Sequence, residues 1–335
     1  MSGVQFSFGV LAILVIVALA FDFMNGFHDA VNSIATTVST GALRPYQAVT
    51  WAAFFNFAAI FVFHRHVAET VAHELVMPNV ADAAVIFGTL AGAFVWSVAT
   101  WLVHIPTSYS HALIGALLGA AIAKAGVAAL VTGGLIPIAL FVLLSPVLAF
   151  ALSGALVVGA SWLLRCAAPV PAETWLRGLQ LVSAAFYAMG HGSNNAQKTM
   201  GIIWLALIAA GETSIDRLPD WVVVSCYAAI ALGTLLGGGR IVRTMAQRFT
   251  RLKPLGAVSA ETGGAITLFI TTGMGIPVST THTIIGATMG ASATRRFSAA
   301  RWGVAGNILL AWGLTIPASA ALAGLGWWLG SFIFP

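Results

Sequence analysis

A chain of 335 residues that is 59% hydrophobic and 7% charged, with mean hydropathy +0.95, is far more apolar than a soluble domain, in which about 25% of residues are charged. The net charge of +5 could suggest a nucleic-acid partner, but the basic residues are confined to short stretches between apolar runs, the pattern of cytoplasmic loops. Two isolated cysteines, Cys166 and Cys226, are too few to argue a metal site or a disulfide framework.

The first apolar run, 7–23, has no basic residue before it and no convincing cleavage site, so it reads as a helix and not as a signal peptide. A polar motif follows at once, GFHDAVN at 26–32, with Asp29 between Asn25 and Asn32. Further apolar runs cover 48–63 and 83–103. Between them lie Glu69, Glu74 and Asp82, with Arg65 as the only Lys or Arg. The segment IPTSYSHALIGA occupies 105–116, Lys124 follows, and 135–164 is apolar again. The most linker-like stretch, with Pro169 and Pro171, suggests a division into 1–165, a connecting loop 166–178, and 179–335.

The second part repeats the first. GSNNAQK at 192–198 stands 192 − 26 = 166 residues after GFHDAVN, and IPVSTTHTIIGA at 276–287 stands 276 − 105 = 171 residues after its counterpart, with seven of twelve positions identical. The chain is an internal duplication. Apolar runs at 221–238 and 302–334 complete a set whose lengths approach or exceed the roughly 17 to 25 residues of a membrane-spanning helix.

Charge placement orients the two copies. The segment 254–294 starts after Arg240, Arg243, Arg248, Arg251 and Lys253, read as one loop, and ends before Arg295, Arg296 and Arg301, so both of its ends are expected inside. Its counterpart, 82–124, follows the acidic stretch, so its ends are expected outside, as are both chain termini. Opposite sidedness predicts an all-α integral membrane protein built as an inverted-topology repeat with two re-entrant helical hairpins. Two full crossings per segment would leave the ends on the same sides, so charge alone does not separate the two forms.

At the hairpin tips, Ser108, Tyr109 and Ser110 in one copy and Ser279, Thr280 and Thr281 in the other place hydroxyls beside a proline. A half-helix beginning there directs free N–H groups and the positive end of its dipole outward, which suits an oxyanion. Ser and Thr also hold membrane helices together; two matching copies favour the binding role. Asp29 is an intramembrane carboxylate, functional by default, suited with amide oxygens to Na⁺ or to a proton. An aspartate at a water-touching helix end is the plainer alternative. The other copy offers Asn194, Asn195, Gln197 and Lys198 instead. His111 and His282 share one position, as ligands or as residues whose hydrogen bonds hold the tip. Asp22 could face an entry path, and Glu261 could start the first arm of the second hairpin.

These segments resemble the signatures of the inorganic phosphate transporter (PiT) family: NGFHDAVNSIAT at 25–36, GHGSNNAQKTMGII at 190–203, and two copies of IP-x-S-x-[ST]-H-x-x-IGA. The resemblance covers nearly the whole chain. It implies a dimeric, multi-pass secondary transporter of a bacterial plasma or inner membrane, with no enzymatic activity, no organic cofactor and no nucleic-acid partner. Orthophosphate would enter with H⁺ or Na⁺, in some bacteria as a neutral metal–phosphate complex. The resemblance assigns phosphate to Ser108, Ser110, Ser279, Thr280 and Thr281 between the tips, and the signature acid and amides to Asp29, Asn32, Asn194, Gln197 and Lys198. Members resembling this chain usually have Asp where Asn195 stands, so one cation or proton site is altered. Moving one net charge against the membrane potential costs about 2.3 kcal/mol per 100 mV, so a divalent anion requires cotransported positive charge, and Asp29 is the main carrier left. Sulfate or another oxyanion is the alternative substrate within the same fold. An intramembrane hydrolase using Ser110 and His111 is the alternative class; it lacks an evident orienting acid.

Overall fold

The computed structural model describes residues 7–103, 107–166, 168–245, 252–294 and 302–334. Helices dominate these residues, and the β-structure among them is an isolated bridge between Val76 and Leu130. The helices are α1 (Phe8–Ser39), α2 (Pro45–Ala58), α3 (His66–Glu69), α4 (Ala83–Leu102), α5 (Tyr109–Ala125), α6 (Thr132–Leu163), α7 (Pro169–Ala209), α8 (Asp220–Met245), α9 (Pro254–Gly273), α10 (Thr280–Ala293) and α11 (Trp302–Ile333). Five of the described helices are long and apolar enough to cross a membrane, or six if the bent pair around residue 62 forms one span.

The first apolar run and the first polar motif form one uninterrupted helix. Ser7 caps α1 by accepting from the Val10 N–H at 3.3 Å. Asp22, Asn25, Asp29 and Asn32 then recur at helical spacing along its buried side. Polar groups in a membrane helix face protein because lipid offers them no partner, and α1 meets this by packing on α8 and α7. A Cβ built at Gly26 would lie 2.2 Å from the Ile230 carbonyl oxygen, and one at Gly237 would lie 2.1 Å from that of Phe27. Glycine is what lets the two backbones touch.

Two pairs of neighbouring helices, α4 with α5 and α9 with α10, form helical hairpins. In the first, Asp82 caps α4 by accepting from the Val85 N–H at 2.8 Å, and Lys124 at the end of α5 reaches back to the same carboxylate at 2.6 Å. The two ends of the 82–124 segment therefore meet on one side. In the second hairpin, α9 closes through Gly275, whose φ of +73° suits a residue without a Cβ, while the Ile276 N–H bonds to the Thr271 carbonyl at 2.8 Å.

Two long helices are exchanged between the first and second parts of the chain. α6, from the first part of the chain, packs against α9 and α10 of the second, and α11 packs against α4 and α5 of the first. Equivalent residues make equivalent contacts: Gly115 and Gly119 abut the Ile316 and Ala320 carbonyls, and Gly286 and Gly290, each 171 residues later (286 − 115, 290 − 119), abut those of Pro146 and Phe150. The exchange buries the faces of both hairpins inside one bundle.

Some expectations change. The run 48–63 is not one straight helix: α2 ends at Ala58, a 3₁₀ turn follows, and the chain bends by 78° into 66–74. The stretch 166–178, expected as a connecting loop, is helical from Pro169 onward, because proline in a first turn has no N–H to lose. Arg240 and Arg243, expected in a loop, continue α8. Glu261 lies two turns inside α9 and not at its start. Arg248, Arg251, Arg295, Arg296 and Arg301, and Ile105 and Pro106 of the first tip motif, lie outside the described residues.

Candidate functional site

The starts of α5 and α10 lie near one another inside the bundle. Ser108 caps α5 by accepting from the His111 N–H, and Ser279 caps α10 by accepting from the His282 N–H, each at 3.3 Å. Equal sequence thus gives equal capping. Both helices begin at buried tips, and the His111 and His282 rings lie 5.0 Å apart between centroids. For His111 the expected hydrogen-bonding role is not seen, since neither of its ring nitrogens has a hydrogen-bond partner.

Lys198 links the tips. Its ammonium donates to Ser110 Oγ at 2.5 Å, to the Val278 carbonyl at 2.6 Å and to Asn195 Oδ1 at 3.0 Å. A buried ammonium must have its protons matched, and one hydroxyl from the first hairpin, one carbonyl from the second and one amide from α7 do so. Asn195 in turn donates to Thr280 Oγ1 at 3.2 Å and lies 3.2 Å from His191 Nε2. Asn194 fixes the strand of chain before α10: its amide donates to Thr272 Oγ1 at 3.0 Å, and its carbonyl accepts from the Val278 N–H at 3.2 Å. Tyr187 adds a hydroxyl donated to the Thr280 carbonyl at 3.1 Å.

Asp29 sits on the other flank of the second tip. Thr281 Oγ1 is 3.4 Å from each of its oxygens and accepts from Asn32 Nδ2 at 2.9 Å, while His191 Nε2 is 3.8 Å from Asp29 Oδ2. It is buried at 7% exposure within α1, so it is not an aspartate at a water-exposed helix end. Ser110, Thr280, Asn195 and Lys198 therefore form one bonded group, which His191 joins to Asp29, Thr281 and Asn32, with Ser108, Ser279 and Asn194 shaping it. Gln197 is placed elsewhere: it accepts from the Val67 N–H at 3.0 Å and donates to Ser193 Oγ at 2.7 Å.

Three further groups carry polar chemistry. Glu261 accepts from Gln180 at 3.0 Å and from Ser183 at 2.5 Å, tying α9 to α7. His28 hydrogen-bonds to the Tyr109 hydroxyl, tying α1 to the first tip. Asp22 is fully buried without a hydrogen-bond partner; its place one heptad before Asp29 is the sequence signal that puts both on one helix face. Ser110 makes its bonds to Lys198 and Asn195, and nothing aligns it with the His111 ring, so the hydrolase constellation is not assembled.

A helical bundle that encloses hydroxyls, amides, a carboxylate and an ammonium between two opposed helix starts has the layout of a membrane transporter. The comparisons define it further. The description "Phosphate transporter family" fits residues 25–176 and again 165–323. The chain is 52% identical over 320 residues to a probable low-affinity inorganic phosphate transporter of Rhizobium meliloti (strain 1021), covering 95% of this chain and 96% of that protein. It is 41% identical over 329 residues to a protein of the same description from Bacillus subtilis (strain 168), covering 97% and 98%. A solved structure described as the sodium-dependent phosphate transporter superposes with a TM-score of 0.86 at 20% identity, over 97% of this chain and 100% of that one, and so shares the fold. The chain belongs to the phosphate transporter family, a family of transporters and not of enzymes, and its apolar helices make it a multi-pass membrane protein.

Proposed function

We propose that the protein takes up inorganic phosphate by symport with protons or Na⁺, holding the anion between the tips of α5 and α10. The observation that carries this is the pairing of two serine-capped helix starts across one buried ammonium. First-turn N–H groups have no intrahelical acceptor and favour an anion. Lys198 supplies a full charge, and hydroxyls supply donors that release their ligand readily. Asp29 beside Thr281 can accept the proton that phosphate carries and sulfate does not, which favours phosphate over the sulfate reading. A neutral metal–phosphate complex would relieve part of the charge problem at the same site.

Ser108→Ala, Ser279→Ala and Thr280→Ala are each expected to weaken phosphate binding by about 1 to 3 kcal/mol, the cost of a lost partner for a buried charged ligand. Isothermal titration of folded, purified variants measures this. Unchanged affinity in all three moves the substrate away from the tips.

In this reading the two parts of the chain are inverted repeats, each with a re-entrant hairpin. The ion pair that closes 82–124 on one side, the exchange of α6 and α11, and the double match of the family description support it. The protein would lie in a bacterial plasma or inner membrane, as a homodimer. Cysteine labelling in intact cells tests the sidedness: Arg248→Cys is expected to react only from the cytoplasm, and external reactivity contradicts the inverted arrangement.

A further inference from the structure

The phosphate site accounts for Asp29 and Lys198 but not for Asp22. Its side chain is 0% exposed, and neither carboxylate oxygen has a hydrogen-bond partner. Asn25 Oδ1, one turn along α1, and Thr199 Oγ1, on α7, are likewise buried and unpartnered. Lys198 on α7 and Cys226 and Tyr227 on α8 lie in the field of Asp22, and the Thr199 hydroxyl lies close enough to hydrogen-bond with it. An ionised carboxylate stripped of water, with a single hydroxyl beside it, is costly. One added proton completes the hydrogen-bond inventory: the new O–H can donate to Asn25 Oδ1, and the Thr199 hydroxyl can donate to the remaining carboxyl oxygen. A metal ion would need more oxygens and a hollow of its own, whereas a proton needs neither.

A cavity lies on the Tyr227 side of this cluster. Its volume is about 230 Å³, and Arg65, Asp220, Gln197 and Tyr227 are among the residues that line it. From its wall, the Tyr227 hydroxyl and the Gln197 amide both reach Ser193 Oγ, at 3.3 and 2.7 Å. On the other side, Lys198 bonds to the tips while lying in the field of both Asp22 and Asp29.

We propose that Asp22 is a proton-carrying site of the transport cycle, linked to the anion through Lys198. This rests on the phosphate reading above. An oxyanion between the tips matches the Lys198 charge and withdraws its support from the Asp22 carboxylate, which takes one H⁺ from water to become the neutral acid. When the anion leaves, Lys198 again favours the carboxylate, and the proton returns to water on the opposite side. No other bond forms or breaks. Asp22 touches no substrate here; it acts by changing charge.

The test uses the full-length protein in proteoliposomes, with wild type, Asp22→Asn and Asp22→Glu compared for phosphate exchange at equal concentrations, for accumulation under a pH gradient, and for protons taken up per phosphate. Each coupled proton supports a roughly tenfold accumulation per pH unit. Wild type and Asp22→Glu are expected to accumulate, while Asp22→Asn keeps exchange but loses about one such tenfold factor and about one proton per phosphate. Accumulation and proton uptake equal to wild type in Asp22→Asn overturn the proposal. If Asp22→Asn lacks exchange, infrared difference spectra decide: a protonated-carboxyl band that appears with phosphate and shifts in Asp22→Glu supports it, and identical spectra overturn it. Accumulation that follows a Na⁺ gradient at equal pH and is lost in Asp22→Asn overturns the proton in favour of Na⁺. Absence of exchange by wild type overturns the phosphate reading itself.

Discussion

Asp29→Asn is expected to cut concentrative phosphate uptake severely, leaving only the accumulation that Asp22 supports, while the protein remains folded and capable of downhill exchange. The amide keeps the shape of the carboxylate toward Thr281, 3.4 Å away, and the capped helix starts and Lys198 remain in place. The negative charge does not remain. Without it, the symported positive charge has no anchor at the tip, and the anion faces a cost of about 2.3 kcal/mol per net charge per 100 mV. The reverse change belongs to the same account. Asn195 lies 3.0 Å from the Lys198 ammonium and 3.2 Å from Thr280 Oγ1, so Asn195→Asp places a second carboxylate inside the site. That is expected to raise the positive charge cotransported per phosphate, read as a shift in reversal potential. An unchanged potential in active Asn195→Asp removes position 195 from coupling, and full accumulation by Asp29→Asn removes Asp29.

A large effect on stability is expected from a single methyl group at Gly290. A Cβ there would lie 2.1 Å from the Phe150 carbonyl oxygen and 2.7 Å from the carbonyl carbon. Backbone cannot move aside as a side-chain end can, so α6 and α10 must separate, at a cost of about 3 kcal/mol or more, the upper end of overpacking. Gly290→Ala is therefore expected to lower the unfolding midpoint in detergent markedly. Gly273→Ala is the control, since nothing lies within 4 Å of a Cβ built there, and its midpoint should match wild type. Equal midpoints for Gly290→Ala and wild type would show that the exchanged packing of α6 on the second hairpin is looser than described.

The residues differ in how far their sequence context revealed their place. The tip hydroxyls were legible because capping is local: Ser108 and Ser279 each stand just before a helix start and accept from a backbone N–H three residues on. Asp29 was legible as an acid in a polar motif that interrupts an apolar run. Gln197 was not placed by its motif, because neighbours on a helix point in different directions; it turns to Val67 and Ser193 while Asn194, Asn195 and Lys198 turn to the tips. The exchange of α6 and α11 was illegible for another reason. Glycines at 115, 119, 286 and 290 announce close helix contacts, but nothing local says which helix fills them, and the partners lie in the other half of the chain. The bend after Ala58 also escaped notice, since an apolar run continues through it.

Uptake of labelled phosphate by the purified protein in proteoliposomes, with pH and Na⁺ gradients imposed separately and unlabelled sulfate as competitor, tests the central claim most directly. The account predicts phosphate accumulation that follows at least one of the two gradients and is insensitive to excess sulfate. Accumulation of sulfate in its place, or no phosphate accumulation under either gradient, contradicts it.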